Sequence, residues 1–353
     1  ITVTPGKPFK VITTNYCLKK RRKERYLDSQ DEKKVRVALL SVASNSALVV
    51  LKLAAGLTIG SVSIISEALH SGVDLLAALI AFFAVKMAGK PADESHPFGH
   101  TKVENISGTA EALLIFVAAG WIVIEAVKKL VSAAPLEDVS WGVAVMLLSC
   151  AVNIFVSKML FNVGKETGSV ALQADAWHLR TDVYTSAGVM LGLASIWLGE
   201  FFFPGLDLKW IDPVVAIVVA LLIIRAAIQL ALDSARDLID VRLPQEEVEE
   251  IRRHIMAFAP TVRGFHKLRT RKGGSVRFVD FHLRMDASMS VDESHRVADM
   301  VTCSIKQHYP GTLVTIHIEP CNCLKGKEES CGCILSDAEK KAIMAKCQEQ
   351  AGP

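Results

Sequence analysis

The sequence predicts an α-helical membrane protein of six transmembrane helices with a C-terminal cytoplasmic α+β domain of ferredoxin-like or metallochaperone-like type. Three observations lead there. The 353-residue chain is 51% hydrophobic with a mean hydropathy of +0.33, too apolar for a soluble protein of this length. The excess sits in the first two thirds, in stretches that each supply the roughly 20 helical residues needed to cross a hydrocarbon core. From about Asp240 the pattern changes to short amphipathic pieces.

Taken in order, the expected spans are Val35 to Leu57, Val62 to Met87, Glu104 to Val131, Val139 to Phe161, Gly168 to Leu198 and Ile211 to Leu232. The fifth is the least clean, because it contains Asp175, His178, Arg180 and Asp182. A basic segment, residues 1–34, precedes them, with the run Lys19-Lys20-Arg21-Arg22-Lys23-Glu24-Arg25. Residues 35–238 form the expected membrane domain, 239–320 the soluble domain and 321–353 a Cys-containing tail. Lys86, Lys90, Lys102, Lys158 and Lys165 border the second and fourth connections, so these sides read as cytoplasmic. The first connection is uncharged and the fifth, Glu200 to Lys209, is net acidic, so these read as outside. Lys128 and Lys129 dissent, although Glu137 and Asp138 lie nearby. An even number of spans places both termini in the cytoplasm. No secretory signal is expected, since the basic start runs into an apolar stretch too long for one. The net charge of +3 gives no case for nucleic-acid binding.

In the soluble domain, Gln245 to Phe258 reads as an amphipathic helix with Val248, Ile251, Ile255 and Phe258 on one face. Strands are expected over Gly264 to Thr270 and Ser275 to Met285, joined by Arg271-Lys272-Gly273-Gly274. A helix over Asp292 to His308, stopped by Pro310-Gly311, and a strand over Leu313 to Glu319 complete an α-β-β-α-β order. Alternation puts Val279, Phe281, Leu283 and Met285 on one face and His282 with Asp280 and Arg284 on the other. In the last strand Val314, Ile316 and Ile318 face the core, which turns His317 and Glu319 away from it.

The chemistry is concentrated in two matched pieces. His70 stands four residues before Asp74, and His178 four residues before Asp182, each inside an apolar segment. An ionisable group at the bilayer centre costs roughly 2.5–3.5 kcal/mol, so four of them need a compensating reason. Residues at i and i+4 share a helix face, so each pair offers one nitrogen and one oxygen to one point, and two facing helices supply four ligands. That set suits Zn(II), whereas Mg or Ca would ask for oxygen alone. The plainer alternative, polar helix packing with each Asp near an aqueous end, accounts for one pair more easily than for two. His266, His282, His295, His317 and Glu319 offer a second cluster, against the alternative of polar residues on a solvated face. Cys321, Cys323, Cys331 and Cys333 form two Cys-x-Cys pairs that either bind a soft ion or remain cytosolic thiols; their spacing is not that of a zinc finger. A membrane metalloenzyme is disfavoured by the lack of His-Glu-x-x-His.

From Val35 to Pro320 the chain resembles the cation diffusion facilitator family. The carrying motifs are Gly60-Ser61-Val62-Ser63-Ile64 leading into His70 and Asp74, then Pro91-Ala92-Asp93-Glu94-Ser95-His96-Pro97-Phe98-Gly99-His100, then Ala174-Asp175 leading into His178 and Asp182. The resemblance implies a homodimer that exports divalent metal from the cytoplasm by exchange for protons, a secondary transporter and not an enzyme. It assigns His70, Asp74, His178 and Asp182 to the transport site and Asp93, His96 and His100 to a loop site. For that trio, solvated loop residues are the alternative. His266, His282, His295, His317 and Glu319 match a cytoplasmic zinc cluster at the dimer interface, with the departure that relatives usually carry Asp at the position of Glu319. Lys102 and Asp240 match a charge pair between the domains. A His/Asp pair in both helices resembles the zinc-selective branch, and the short connection Phe161 to Gly168, without a His-rich insertion, resembles bacterial members. Zn(II) is thus expected both as substrate and as regulatory ligand, in a bacterial inner membrane. Transport of Cd, Co, Fe or Mn, or a non-transporting metal sensor of the same fold, are the alternatives.

Overall fold

The computed structural model describes the backbone of residues 10–59, 62–131, 140–202 and 210–321, with side chains described over most of that range. The chain divides into two compact units, residues 1–239 and 240–353.

Among the described residues the first unit contains six long helices: α1 (Lys10–Ile59), α2 (Val62–Ala88), α3 (Val103–Val131), α4 (Ser140–Thr167), α5 (Val170–Phe202) and α6 (Ile211–Leu238). Five carry spans that are long and apolar enough to cross a membrane: Gln30–Thr58, Ala68–Ala88, Val103–Lys128, Leu147–Thr167 and Pro213–Leu238. The remaining helix, α5, has 33 residues, ample for a span. Its charged N-terminal half sets it apart.

Several helix boundaries differ from expectation, most at the start of α1 and the ends of α4 and α6. Helix α1 begins at Lys10, so the basic run from Lys19 to Arg25 is helical; Lys, Arg and Glu are good helix formers and extend the helix backward. Helix α4 runs on through Lys158 and Lys165 to Thr167, where Gly168 adopts φ 70°, a left-handed stop that favours glycine. Only Gly168 and Ser169 then separate α4 from α5, and the two helices pack against each other.

Helix packing explains how the bundle carries polar residues. At Gly188 of α5 a Cβ would lie 2.8 Å from Val219 of α6, so glycine permits this close approach. Buried polar groups meet across helices: Lys34 of α1 reaches Glu104 of α3 at 3.5 Å, and Glu104 accepts the Val170 backbone N–H at 3.0 Å. Lys52 donates to the Ser71 hydroxyl at 2.7 Å. Each bond offsets part of the desolvation cost that these groups incur.

The second unit has α7 (Gln245–Met256), β1 (Gly264–Gly273), β2 (Val276–Met285), α8 (Val291–His308) and β3 (Leu313–Pro320). The sheet order is β1-β2-β3, with β1 antiparallel and β3 parallel to β2. Strand β1 is longer than expected, because Arg271, Lys272 and Gly273 stay in register with β2 and the turn shortens to Gly274-Ser275. The alternation holds: Val279, Phe281, Leu283 and Met285 are buried and join Val248, Ile251 and Ile255 of α7 and Val301 and Ile305 of α8 in one core. Helix α8 starts at a capping box in which the Ser290 hydroxyl accepts the Glu293 N–H and the Glu293 carboxylate accepts the Ser290 N–H.

Candidate metal centres

The intramembrane residues converge from α2 and α5, which pack together. The i,i+4 spacing stacks each His one turn before its Asp, and the crossing then pairs them between helices. His178 Nε2 lies 3.3 Å from Asp74 Oδ1, and His70 Nε2 lies 4.0 Å from Asp182 Oδ1. One ligand atom from each of His70, Asp74 and Asp182 falls within 4.8 Å of the others, close enough to share one ion. The side chains of His178 and Asp74 are 5% and 7% exposed, whereas His70 is 51% exposed. The buried Nδ1 of His178 has no hydrogen-bond partner among the described residues. Two imidazoles and two carboxylates are a donor set for a tetrahedral borderline ion.

Around this centre, Asp175 is fully buried one turn before His178. Glu111 of α3 is also fully buried and accepts the Ser107 hydroxyl at 3.0 Å. Sequence reasoning does not single out Glu111; its signal was a lone acid amid the apolar run from Ala110 to Ala119. The side chain of Glu67 lies outside the described residues.

The connection between α2 and α3 gathers the loop trio. Asp93 is the hub: its carboxylate accepts the His96 backbone N–H at 2.6 Å, lies 3.1 Å from His96 Nδ1 and 3.3 Å from His100 Nε2. The His96 N–H, followed by the two imidazoles, holds the Asp93 carboxyl below its ordinary range and therefore ionised. Gly99, at φ 82°, makes the turn that returns His100 to Asp93.

In the second unit His266, His282 and His317 stand side by side across three strands, because His266 pairs with His282 and His282 with His317 in the sheet register. Glu319 closes the group: its oxygens lie 2.7 Å from His282 Nδ1, 3.3 Å from His266 Nε2 and 3.9 Å from His317 Nε2. His282, His266 and Glu319 bring ligand atoms within 4.8 Å of one another. The His282 hydrogen bond holds the Glu319 carboxyl low, and burial followed by the nearby Arg284 pulls the His266 imidazole down, leaving its lone pair free for a metal. Arg284 Nε sits 3.7 Å from Glu319 and competes for that carboxylate.

A β-bulge makes this register possible. The pairing slips by one residue between His266 and Arg269, with Lys267 at φ 52°. His295 is placed elsewhere, on α8, 72% exposed and 3.7 Å from Asp299. Lys102 donates to the Leu238 carbonyl at 3.3 Å within the first unit, and Asp240 pairs with Arg271 at 3.1 Å within the second. Cys321 follows β3, its backbone N–H donating to the Met285 carbonyl at 2.8 Å. Cys323, Cys331 and Cys333 lie outside the described residues.

Long apolar helices that converge imidazoles and carboxylates in their interior define an integral, multi-pass membrane protein that binds metal cations. Comparison with known proteins narrows this. Residues 38–239 match the family model for the cation efflux transmembrane domain, and residues 243–321 that for the cation efflux protein, cytoplasmic domain. An uncharacterized transporter of Synechocystis is 35% identical over 283 residues, covering 80% of this chain and 89% of its own. The cation-efflux pump FieF of Escherichia coli is 33% identical over 289 residues, 81% of this chain and 93% of its own. Among solved structures, one of CzrB shares 38% identity over 22% of this chain and 96% of its own, with a TM-score of 0.22. The metal-bound C-terminal domain of the CzcD transporter from Thermotoga maritima shares 25% identity over 25% of this chain and 100% of its own, with a TM-score of 0.21. The chain belongs to the cation efflux, or cation diffusion facilitator, family, and is a secondary transporter of cations, not an enzyme.

Proposed function

We propose that this protein exports Zn(II) from the cytoplasm in exchange for protons, as a homodimer in a bacterial inner membrane with both termini cytoplasmic. The observation that carries this reading is the convergence of His70, Asp74, His178 and Asp182 from two packed helices. Imidazole binds a metal only through a deprotonated nitrogen, and its ordinary pKa of about 6.5 lies close to cytoplasmic pH. Metal arriving from the cytoplasm therefore displaces protons from the four ligands, and protons arriving from outside displace the metal. One site then couples both fluxes, provided it opens to each side in turn.

The sheet cluster has the role of a cytoplasmic zinc sensor. His266, His282, His317 and Glu319 supply it within one chain, and the exposed His295 of a second copy is available to complete it at the dimer interface. The Asp93 loop is a further docking point for the ion before transport. A family member that carries Cd, Co, Fe or Mn is the second reading, since the donor set also suits other borderline ions.

Proteoliposomes loaded with a pH dye test these readings together. Zn(II) uptake with opposite proton movement is expected, lost when His70→Ala is combined with Asp182→Ala. Zn(II) uptake without opposite proton movement overturns the exchange, and equal or faster uptake of Mn(II), Fe(II), Co(II) or Cd(II) overturns the zinc preference.

A further inference from the structure

We propose that Glu250, His254 and His308 form a separate site for a divalent ion of the Zn(II) class, bridging α7 and α8 in the soluble unit. The three residues lie on the helical layer, whereas the His266 cluster lies on the sheet face turned away from the core that those helices cover. They bring ligand atoms within 4.8 Å of one another.

Local structure aims each ligand. Glu250 and His254 stand one turn apart on α7, with His254 Nε2 3.6 Å from Glu250 Oε1. The other ring nitrogen, Nδ1, lies 2.9 Å from the Ser304 hydroxyl of α8. With Nδ1–H donating to that oxygen, the lone pair is left on Nε2, facing Glu250. Nε2 is buried with no hydrogen-bond partner among the described residues, a cost that a bound ion removes. His308 closes α8, its ring centroid 5.3 Å from that of His254. Arg253 holds Glu250 through Oε2, so Oε1 is the oxygen available to metal.

Two imidazoles and one carboxylate are three protein ligands, leaving a fourth position to water. A nitrogen-rich set of this kind excludes Mg and Ca and selects Zn(II) and its neighbours. An ion there cross-links the C-terminal end of α8 to α7, independently of any flux through the membrane. The reading therefore stands or falls apart from the proposed transport activity.

The test uses the full-length protein in detergent, with Zn(II) bound at equilibrium dialysis counted by metal analysis. His308 is exposed, so His308→Gln is expected to fold, with the unfolding temperature of the metal-free protein unchanged. The expected result is one Zn(II) fewer per chain, and in a Glu319→Gln background a further loss on top of that variant's own. Ser304→Ala, which spares all three ligands, is expected to weaken the same ion roughly 10–100-fold. Co(II) loading gives an independent readout, as the absorption of the low-coordinate ion decreases in His308→Gln. An unchanged Zn(II) count and affinity in His308→Gln overturns the site, and so does a Glu319→Gln variant in which His308→Gln has no additional effect.

Discussion

The intramembrane site and the sheet cluster use the same two donor types but hold them differently. Between α2 and α5, each carboxylate faces one imidazole across the helix pair: His178 hydrogen-bonds Asp74 at 3.3 Å, and His70 stands 4.0 Å from Asp182. On the sheet, one carboxylate, Glu319, serves three imidazoles and a guanidinium at once. The first arrangement keeps each carboxylate with a single imidazole, so that an ion or protons draw the two pairs together, which suits a carrier that must load and release. In the second, Glu319 is already hydrogen-bonded to His282 and lies within ion-pair distance of His266, His317 and Arg284, so metal binding exchanges one partner for another, which suits a weaker, reporting role.

The largest effect expected from this contrast is on transport. Asp74→Ala removes the carboxylate that His178 faces and is expected to reduce Zn(II) uptake by proteoliposomes to the level of empty vesicles. Glu319→Gln is expected to leave uptake at saturating Zn(II) within about twofold while lowering metal affinity of the soluble unit roughly tenfold or more, as loss of a ligand exceeds the effect of an outer-shell change. If the two variants lose uptake equally, the division of labour fails. Arg284→Gln is expected to act in the opposite direction, tightening metal binding several-fold by releasing Glu319 from its competitor, as read by titration with a zinc chelator.

How much of this was legible in the sequence follows from the range of the interactions. The six helices, the i,i+4 pairs and the alternation that turns His282 and His317 away from the core are local periodicities, and they appear in the structure where the pattern puts them. The β-bulge at Lys267 was not legible, because a residue in left-handed conformation there leaves no glycine in the sequence. Nor was the approach of His254 to His308, more than fifty positions apart, which depends on how α7 crosses α8. The connection of Glu104 to Lys34 and to the start of α5 is of the same kind.

A smaller prediction concerns the frame that carries the sheet cluster. Ser290→Ala removes the cap of α8 and is expected to destabilise its first turn by about 1 kcal/mol, seen as faster amide exchange there. The Ser290 hydroxyl and N–H hold the Glu293 carboxyl below its ordinary range. A depressed carboxyl stabilises the folded form above its unfolded value of about 4.3 and stops doing so as pH falls through the folded value. The effect of Ser290→Ala is therefore full at pH 7 and shrinks below about pH 4.

The most direct test of the central claim is zinc X-ray absorption on protein whose other centres are removed by Glu319→Gln, His266→Gln, His308→Gln and Asp93→Asn. One Zn(II) per chain is expected, in a four-coordinate shell of two imidazoles and two carboxylate oxygens at about 2.0–2.1 Å. Loss of all bound zinc, or a shell containing sulfur or lacking imidazole, would contradict it.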